Sequence, residues 1–423
     1  MTSLKALGGT SDILPEEAKR WHVLEEQART ALHRYGYQEI RTPLIEESAV
    51  FTASLGEAAE IVTKQMYLFN DRGGRQVALR PEGTAPVVRA FIEHGLDKTA
   101  GLTRLYYLGP MFRAERPQAG RRRQFHQLGV EVFGSSSPYQ DAEVLLLLSR
   151  LLREWGLSGY VLKLNSLGCR ADRGPMVEQV RRYLLPSESK LCADCQVRLK
   201  KNPLRILDCK EPGCQALSAG ADIAGGICSE CRRHFEQLTD ALRGLQVPFE
   251  RDPHLVRGLD YYTRTAFEVI HDALGAQNAL GGGGRYDDLV EQLGGSPSPA
   301  IGFAIGLERV LMVLESRPQG AVGPRMSPEV FVATVTAAQI PEALRLVEFL
   351  RDEKISASVN LEDRPLKRQL EQASKLVPEG YVLILGEEEI SKGVVTVRQM
   401  NTGKQEQVPR SALLQRCLKR LAD

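Results

Sequence analysis

The chain has 423 residues, more than one hydrophobic core ordinarily serves, so we expect two or three domains. Hydrophobic residues make up 43% and charged residues 26%, with no run of 18 apolar positions, so we expect no membrane span. The formal net charge is only +2, so a polyanionic partner must be bound by a local cluster of charges. The amino-terminal residues contain no apolar segment ending at a cleavage site, and we expect a cytoplasmic protein.

Hydrophobic periodicity predicts a first helix over residues 16–35. Segments rich in β-branched and aromatic residues predict strands in YQEIRTPLIE and over 66–70, 77–80, 104–113, 124–133, 160–165, 255–270 and 278–284. Further helices are predicted over 84–94, 140–155 and 305–316. Runs of strands joined by hairpins, with helices added, indicate an α+β fold built on an antiparallel sheet.

Two parts of the chain depart from this pattern. Residues 170–247 are helical and charged and contain six of the eight cysteines, so we interpret them as an insertion into a core domain over 1–325. A Pro/Gly-rich linker, SRPQGAVGPRMSP, precedes residues 328–423. There, strands in EVFVATV, SASVN, YVLILG and GVVTVRQM alternate with helices over 340–353, 364–375 and 410–421, which predicts a separate α/β domain.

The segment FRAERPQAGRRRQFHQ, residues 112–127, gathers five arginines between Arg113 and Arg123 in the turn of a predicted hairpin. Because alternate side chains of a strand share a face, one face of the second strand should present Phe125, Gln127, Gly129 and Glu131. A guanidinium binds phosphate oxygens bidentately, and an aromatic ring beside it stacks on a base. The hairpin therefore indicates a nucleotide platform, the alternative being a solvent-exposed turn.

Two other segments carry unusual residues beside predicted strands. LRPEGTAPVVRAF, residues 79–91, places Glu82 and Thr84 before a helix, where Thr84 is a candidate N-cap and Glu82 a candidate anchor for an ammonium group. Capping alone explains this pair equally well. ALGGGGRYDDL, residues 279–289, runs four glycines through a strand, which is costly unless the backbone approaches a ligand closely.

Further polar residues cluster in VRGLDYYTRTAFEV, residues 256–269, where Arg257 and two adjacent tyrosines begin a predicted strand. In AIGFAIGLERVLMVL, Arg309 occupies the first turn of a helix. A cation is unfavourable near a helix N-terminus, and a bound anion would remove the difficulty.

The cysteines of the insertion form two Cys-x-x-Cys pairs that enclose two more, in the order Cys192, Cys195, Cys209, Cys214, Cys228 and Cys231. The two pairs are the right kind of ligand for one four-sulfur zinc site, and reduced structural thiols are the alternative. We interpret Cys169 and Cys417 as lone buried thiols and assign no metal ligand.

Taken together, these segments resemble the three signature motifs of class II aminoacyl-tRNA synthetases. RGLDYY and GGGGRYDDL resemble the histidine-specific pair of the histidyl-tRNA synthetase family, and the similarity runs from GTSDILPEEA to the last domain. The resemblance implies a six-stranded antiparallel catalytic sheet, a helical insertion, a C-terminal anticodon-binding domain and a homodimer built partly through TPLIEE around Pro43. It implies a histidine–tRNA ligase, which activates L-histidine with ATP and transfers it to tRNA(His).

The resemblance also implies roles for individual residues. Arg113 and Arg257 would be catalytic, holding the α-phosphate of ATP from two sides, while magnesium serves the departing phosphates. The residues implied to bind ATP are Arg113, Glu115, Arg121, Arg123, Phe125 and Arg309. Those implied to bind histidine are Glu82, Thr84, Gln127, Glu131, Tyr261 and Tyr262. Arg116 and Gln118 would meet the acceptor end of tRNA.

The chain departs from the family pattern at Gly8, where arginine is usual, and at Ala304, where many class II members have glycine. Two other interpretations remain. One is the non-catalytic regulatory paralogue of histidine biosynthesis, which typically lacks a C-terminal domain such as residues 328–423. The other is an RNA-binding protein that uses the sheet as a platform, which accounts for neither the four glycines nor Glu131.

Overall fold

The computed structural model describes residues 4–56, 59–99, 101–116, 120–221, 223–259, 261–316 and 328–416. It divides into two units, Met1–Gly323 and Pro324–Asp423. The strands of the larger unit are β1 (Gln38–Glu39), β2 (Ile45–Glu47), β3 (Tyr67–Asn70), β4 (Gln76–Leu79), β5 (Thr103–Phe112), β6 (Gln124–Phe133), β7 (Val161–Ser166), β8 (Glu250–Arg251), β9 (Thr263–Ile270), β10 (Ala279–Arg285) and β11 (Ala300–Gly306). Its helices are α1 (Pro15–Arg34), α2 (Ser48–Leu55), α3 (Thr84–Glu93), α4 (Pro138–Glu154), α5 (Arg170–Leu184), α6 (Ala193–Lys201), α7 (Pro212–Ser218), α8 (Ser229–Gly244), α9 (Leu289–Gln292) and α10 (Leu307–Glu315).

The main sheet has the strand order β1-β5-β6-β11-β10-β9-β7-β8. The six central strands pair antiparallel, which confirms the predicted catalytic sheet. Two-residue strands, β1 and β8, add parallel pairs at the two edges. A separate three-stranded sheet has the order β2-β4-β3.

Two strand predictions differ from the structure. The predicted strand over 255–270 begins only at Thr263, because residues 256–259 and 261–262 follow an irregular path beside the sheet. The predicted strand YQEIRTPLIE divides into β1 and β2, which belong to different sheets. Both segments have the residue types that favour strands, but only part of each segment pairs with a neighbouring strand.

The two faces of the main sheet have different neighbours. One face packs on α1, α4, α8 and α10, and its apolar side chains include the predicted core residues Leu128, Val130 and Val132. The other face carries a second apolar cluster, which α3 covers in part and to which Tyr107, Tyr261, Tyr262 and Tyr286 belong. The tyrosines place polar groups on this second face, which is where the candidate site lies.

The insertion has a small core of its own. Side chains of α5, α6, α7 and the start of α8 pack with the short 3₁₀ segment Pro203–Ile206 in a cluster that includes Met176, Val180, Leu199, Ile206 and Ile227. The second half of α8 instead packs on the main core through Phe235, Leu238 and Leu242. The boundary of the insertion at 170–247 stays a prediction.

The smaller unit contains the strands β12 (Val330–Thr334), β13 (Ala357–Val359), β14 (Tyr381–Leu385), β15 (Val394–Gln399) and β16 (Gln405–Pro409). Its helices are α11 (Ile340–Asp352), α12 (Leu366–Leu376), α13 (Glu387–Lys392) and α14 (Leu413–Arg416). The sheet order is β13-β12-β14-β15-β16, parallel on one side of β14 and antiparallel on the other, and the parallel half with its connecting helices agrees with the predicted α/β domain.

Two parts of this unit were not predicted, β16 and α13. The strand β16 is largely exposed and has the polar sequence QEQVP, so it lacks a hydrophobic signal. The predicted linker and the end of the predicted last helix fall on 317–327 and 417–421, outside the described residues. In the part of the chain that the structure describes, no helix is long and apolar enough to cross a membrane.

A buried ion pair joins β10 to α4. Arg285 is fully buried, and its Nε donates to Asp141 Oδ2 at 3.0 Å. Its other nitrogens donate to the carbonyls of Ser135 and Ser137 at 2.9 and 3.1 Å and to Asp287 at 2.9 Å. Burial raises the pKa of Asp141 to about 6, although Arg285 opposes the shift.

We expect Asp141→Asn to lower the free energy of unfolding by about 3 kcal/mol, because the substitution leaves the fully buried Arg285 charge with only the partly exposed Asp287 as a carboxylate partner. Urea denaturation near neutral pH measures this change, since Asp141 is largely ionised there. Asp240→Asn is the matched control, because it breaks an exposed pair with Arg243 and should change stability little. Equal effects of the two substitutions would contradict the assignment.

Candidate active site

An acidic pocket lies on the second face of the main sheet, centred on Glu131 of β6. Glu131 is buried, and its two oxygens accept hydrogen bonds from the Thr84 hydroxyl at 2.8 Å and from the Tyr286 hydroxyl. Burial raises the pKa of Glu131 to about 8, although both hydrogen bonds oppose the shift. A carboxyl group held this way can change protonation when a polar ligand enters the pocket.

Glu82 is a second buried acid beside this pocket. Its carboxylate accepts hydrogen bonds from the backbone N–H groups of Thr84 and Ala85, both at 2.8 Å. Glu82 therefore satisfies the first turn of α3, and the prediction that Thr84 is the N-cap was wrong, because Thr84 is the first helical residue and Gly83 precedes it. Burial raises the pKa of Glu82, and its charge in turn raises that of Glu131.

Tyrosine rings form the wall of the acidic pocket. The rings of Tyr261 and Tyr262 lie 4.6 Å apart, and Tyr261 meets Tyr286 edge to face at 5.7 Å. Both adjacent tyrosines are buried, because the chain is irregular there and does not send them to opposite faces of a strand. Their hydroxyl groups can select a ligand that combines a ring with hydrogen-bonding groups.

Glycines on the central strands provide the space for these side chains. Gly302 faces Glu131 across β11 and β6, and a Cβ atom there would lie 1.9 Å from Glu131 Oε2. A Cβ atom at Gly282 would lie 2.8 Å from Arg257 Nη1. One reason for the four glycines is thus the close approach of the Arg257 guanidinium to the strand.

Three arginines from distant parts of the chain meet beside the acidic pocket. Arg257 pairs with Glu268 of β9 at 2.8 Å, and its guanidinium lies 5.7 Å from the Tyr262 ring centre. Arg113, at the end of β5, donates to the Pro81 carbonyl at 2.9 Å. Tyr261 lies within electrostatic range of both guanidinium groups, and it lines one cavity with Arg257.

Arg309, at the start of α10, completes the cluster. Its side chain donates to the carbonyls of Gly120, at 2.9 Å, and Ala279. Burial lowers its pKa, and the charges of Arg121 and Arg113 lower it further. Arg309 thus lies close enough to both arginines for mutual repulsion, at a helix N-terminus that already favours negative charge.

Aromatic and acidic groups border this cationic cluster. The Arg113 guanidinium lies 5.3 Å from the ring centre of Phe125. Glu115 lies 4.0 Å from Arg113 and 3.0 Å from Arg121. Four arginines, Arg113, Arg121, Arg257 and Arg309, are thus close to two carboxylates, those of Glu115 and Glu268. The excess positive charge in a partly buried site favours a bound polyanion.

Several buried polar atoms at the site have no hydrogen-bond partner among the described residues. They include the Tyr107 hydroxyl, Glu115 Oε2, Gln127 Oε1 and Arg257 Nε. A buried polar atom without a partner costs free energy, so such atoms mark places where a ligand completes the hydrogen bonding. Gln127 offers an acceptor and Arg257 a donor.

The remaining predicted site residues, Arg116, Gln118 and Arg123, are not among the groups described above. The Arg123 side chain donates to the backbone carbonyls of Gly8 and Glu115, at 3.1 and 3.3 Å, rather than to another side chain. Arg116 is exposed at the edge of the hairpin turn. Gln118 and Asp260 are outside the described residues.

Sequence reasoning missed several residues of the site. Tyr286 binds Glu131, Glu268 pairs with Arg257, and the Tyr107 ring fills the space left by Gly83 and Gly129. Tyr286 lies within the motif GGGGRYDDL, so this motif could have identified it as a site residue from the sequence. Glu268 and Tyr107 lie in ordinary strand patterns, which carry no such signal.

Comparison with known proteins places these features in a family. A family model described as histidyl-tRNA synthetase matches residues 9–170 and 216–310, and one described as anticodon binding domain matches residues 329–420. The chain is 48% identical to the histidine–tRNA ligase of Moorella thermoacetica over 412 residues, 97% of each chain. It is 46% identical to that of Natranaerobius thermophilus over 408 residues, 96% of each chain.

Solved structures agree with the sequence comparisons. The apo histidyl-tRNA synthetase of S. aureus matches with a TM-score of 0.82 at 35% identity, covering 98% of this chain and 99% of that one. The similarity spans both units and includes the segments from which the acidic pocket and the arginine cluster are built. The chain belongs to the histidyl-tRNA synthetase family.

Proposed function

We propose that the protein is a histidine–tRNA ligase. In the first step the carboxylate of L-histidine attacks the α-phosphorus of ATP, forming histidyl-adenylate and releasing pyrophosphate. In the second step a terminal ribose hydroxyl of tRNA(His) attacks the acyl carbon, and AMP leaves. The observation that carries this proposal is the buried acid Glu131, which is bonded to Thr84 and Tyr286 in a chain of this family, while Arg257 lies against the adjoining tyrosine wall.

ATP binds at the arginine cluster in this proposal. Arg113 and Arg257 hold the α-phosphate, where their charges oppose the negative charge that develops as the carboxylate attacks. Phe125 stacks on one face of adenine, and Arg309 lies on the other. Arg121 meets the outer phosphates more readily than Arg123, because Arg123 already donates to two backbone carbonyls.

Magnesium fits the site as a companion of the phosphates. The acids at the arginine cluster, Glu115 and Glu268, are each paired with an arginine, and the described residues hold no group of three or more acids or histidines at this place. Magnesium commonly binds through substrate phosphates with one or two carboxylates. Glu115 would share the ion, which would neutralise charge on the departing pyrophosphate.

Histidine binds in the acidic pocket. Glu131 accepts a hydrogen bond from the imidazole, and Tyr261 and Tyr262 surround the ring. The α-amino group lies among Glu82, Thr84 and Gln127, whose Oε1 lacks a partner among the described residues. An apolar side chain would add no donor to the buried Glu131 carboxyl group, whose oxygens can accept more than the bonds from Thr84 and Tyr286, so the pocket favours a ring N–H over an apolar group.

Transfer RNA meets both units in this proposal. Arg116 and Gln118, which the sequence predicts in a hairpin turn, contact the acceptor end, and residues 328–423 bind the anticodon. Support for the second contact comes from the match of residues 329–420 to an anticodon-binding family model. We propose a cytoplasmic location, where charged tRNA is used.

The protein acts as a homodimer in this proposal, with the TPLIEE segment at the interface. Leu44, Ile45, Leu68 and Phe69 are large apolar residues of this region that are more than 40% exposed. Ile45, Leu68 and Phe69 belong to the small sheet β2-β4-β3. A group of exposed apolar residues on one small sheet is typical of an interaction surface.

The direct test is pyrophosphate exchange with ATP and each amino acid in turn. We expect exchange with histidine alone, followed by transfer of histidine to tRNA(His) when the tRNA is added. Absence of exchange with every amino acid would favour the non-catalytic regulatory paralogue. Exchange with a different amino acid would show that the acidic pocket does not select imidazole.

We expect Arg257→His to slow adenylate formation by about 100-fold or more, because the second guanidinium is lost where charge develops. Histidine affinity should change much less, since Arg257 acts mainly in the transition state. Single-turnover kinetics measures the first quantity and equilibrium binding the second. Arg251→His, at an exposed residue of β8, is the control, and equal losses in rate and affinity would contradict this role.

We expect histidine binding near pH 7 to release a proton from Glu131. Burial raises the pKa of Glu131 to about 8, so the carboxyl group is mostly protonated near pH 7 before histidine binds. A ring N–H that donates to the carboxylate stabilises the ionised form and lowers the pKa, which expels the proton. Calorimetry in buffers of different ionisation enthalpy measures the release.

Glu131→Gln should abolish this proton release and weaken histidine binding at least about tenfold, because it removes the acid that accepts the imidazole N–H. Glu291→Gln, at an exposed residue of α9, should preserve both. Unchanged proton release in Glu131→Gln would assign the proton to another group.

A further inference from the structure

The cysteines of the insertion divide between two clusters. Four of them form one cluster, Cys192, Cys195, Cys209 and Cys214. A second cluster contains Cys169, Asp172, Cys228 and Cys231. Of the alternatives that the sequence left open, a single four-sulfur site shared by the two Cys-x-x-Cys pairs does not fit, because each pair joins different partners. The prediction that Cys169 is a lone thiol was wrong.

The first cluster, which we call the four-cysteine cluster, has the dimensions of a metal site. Its four sulfur atoms all lie within 4.8 Å of one another, and the Cys192 and Cys209 sulfurs are 4.0 Å apart. Four thiolates around zinc, with bonds of about 2.3 Å, place their sulfurs about 3.8 Å apart. A disulfide requires about 2.05 Å, so the observed spacing fits a shared ion better than a sulfur–sulfur bond.

The local backbone also directs these sulfurs to one point. Cys192 is the N-cap of α6, and Cys195 lies in its first turn. Cys209 follows the 3₁₀ segment Pro203–Ile206, and Cys214 belongs to α7. The Cys192 N–H donates to the Cys214 sulfur at 3.3 Å, a bond that stabilises a negatively charged sulfur. Three of the four cysteines are buried, whereas Cys192 is partly exposed.

The small core of the insertion gives such a site a physical purpose. Cys195, Cys209 and Cys214 occupy buried positions in its apolar cluster. A core of this size buries limited apolar surface, and a bound metal is a common way to stabilise one. Four thiolates exclude magnesium and calcium, which prefer oxygen, and suit zinc.

We propose that the four-cysteine cluster binds one structural zinc ion through four thiolates. The site is closed, with all four positions filled by protein, and therefore carries no hydrolytic chemistry. Binding releases the thiol protons to solvent and involves no oxidant or reductant. This proposal is independent of the ligase activity, because metal content is measured without any catalytic assay.

The other cluster forms a second candidate metal site. It lies where the insertion begins and where α8 starts. Cys169, Asp172, Cys228 and Cys231 place three sulfurs and one carboxylate oxygen within 4.8 Å of one another. The Cys231 N–H donates to the Cys228 sulfur at 3.4 Å, and the Cys169 N–H donates to Asp172 at 3.1 Å. We infer that three thiolates and one carboxylate bind a second structural zinc ion here.

The proposed zinc ions would also stabilise the segment that carries Arg257. Arg205, in the 3₁₀ segment between Cys195 and Cys209, donates to the Arg257 carbonyl at 3.0 Å. Cys169 and Arg257 also line one cavity between the insertion and the segment 256–263. Fixing the 3₁₀ segment thus fixes the backbone that carries Arg257, a consequence that rests on the proposed function.

Elemental analysis of the full-length protein, purified without added metal, tests both sites. We expect two zinc ions per chain, falling to one in Cys209→Ser and to one in Cys169→Ser. No zinc, or iron in its place, would overturn both proposals. If the unchanged protein holds only one zinc ion, the serine variant that still holds that ion identifies the site that binds none. The proposal for that site is then overturned.

A second measurement keeps the test decisive if a serine variant fails to fold. Cobalt is exchanged into the unchanged protein, and the thiolate charge-transfer absorption is compared with the number of cobalt ions bound. An absorption that corresponds to four thiolates at one cobalt ion and three at the other supports the assignment. Intact mass under non-reducing conditions completes the test, because a loss of hydrogens that shows disulfides among these cysteines would overturn it.

The link to Arg257 has its own readout. Removal of zinc by a chelator should lower the rate of adenylate formation at least about tenfold while the protein remains folded by circular dichroism, because Arg257 loses its backbone support. Metal content is scored separately, so failure of the zinc sites and failure of the ligase proposal give different results. An unchanged rate after complete zinc loss would overturn the link and leave the sites.

Discussion

Close packing of the central strands is the constraint on which the site depends. Glu131 can lie on the second face of the main sheet only because Gly302 opposite it has no side chain, since a Cβ atom there would lie 1.9 Å from the carboxylate. Gly282 leaves similar room for the Arg257 guanidinium. A sheet of ordinary residues would fill this surface with side chains and would hold neither group.

The space left by the glycines contains two regions of opposite electrostatic character. The acidic pocket holds Glu82 and Glu131 with tyrosine hydroxyls, and burial raises the pKa of both acids. The arginine cluster beside it has more guanidinium groups than carboxylates, and Arg113 and Arg121 both lower the pKa of Arg309. A ligand with a ring N–H suits the first region and a triphosphate suits the second. In the proposed function, the carboxylate of a histidine bound in the first region lies next to the α-phosphorus of an ATP bound in the second.

The insertion contacts the segments that carry the site in two places. Arg205 supports the Arg257 carbonyl, and Arg264 pairs with Glu230 of α8 at 2.8 Å. Both contacts join the insertion to residues that flank the tyrosine wall. A stable insertion is therefore useful to the site even though it supplies none of the groups proposed to bind histidine, and zinc bound at the two cysteine clusters, as proposed, would stabilise its small core.

The sequence by itself determined the antiparallel core, the α/β domain at the C-terminus and the identity of most polar groups at the site. Strand alternation and the motif order carry this information locally, as in the shared face of Phe125, Gln127 and Glu131. Only the tertiary structure decided that Glu82 caps α3, that Tyr261 and Tyr262 are both buried, and that Glu268 pairs with Arg257. It also separated the cysteines into two clusters, because the partner of each sulfur depends on how α5, α6, α7 and α8 pack, and spacing along the chain does not specify that packing.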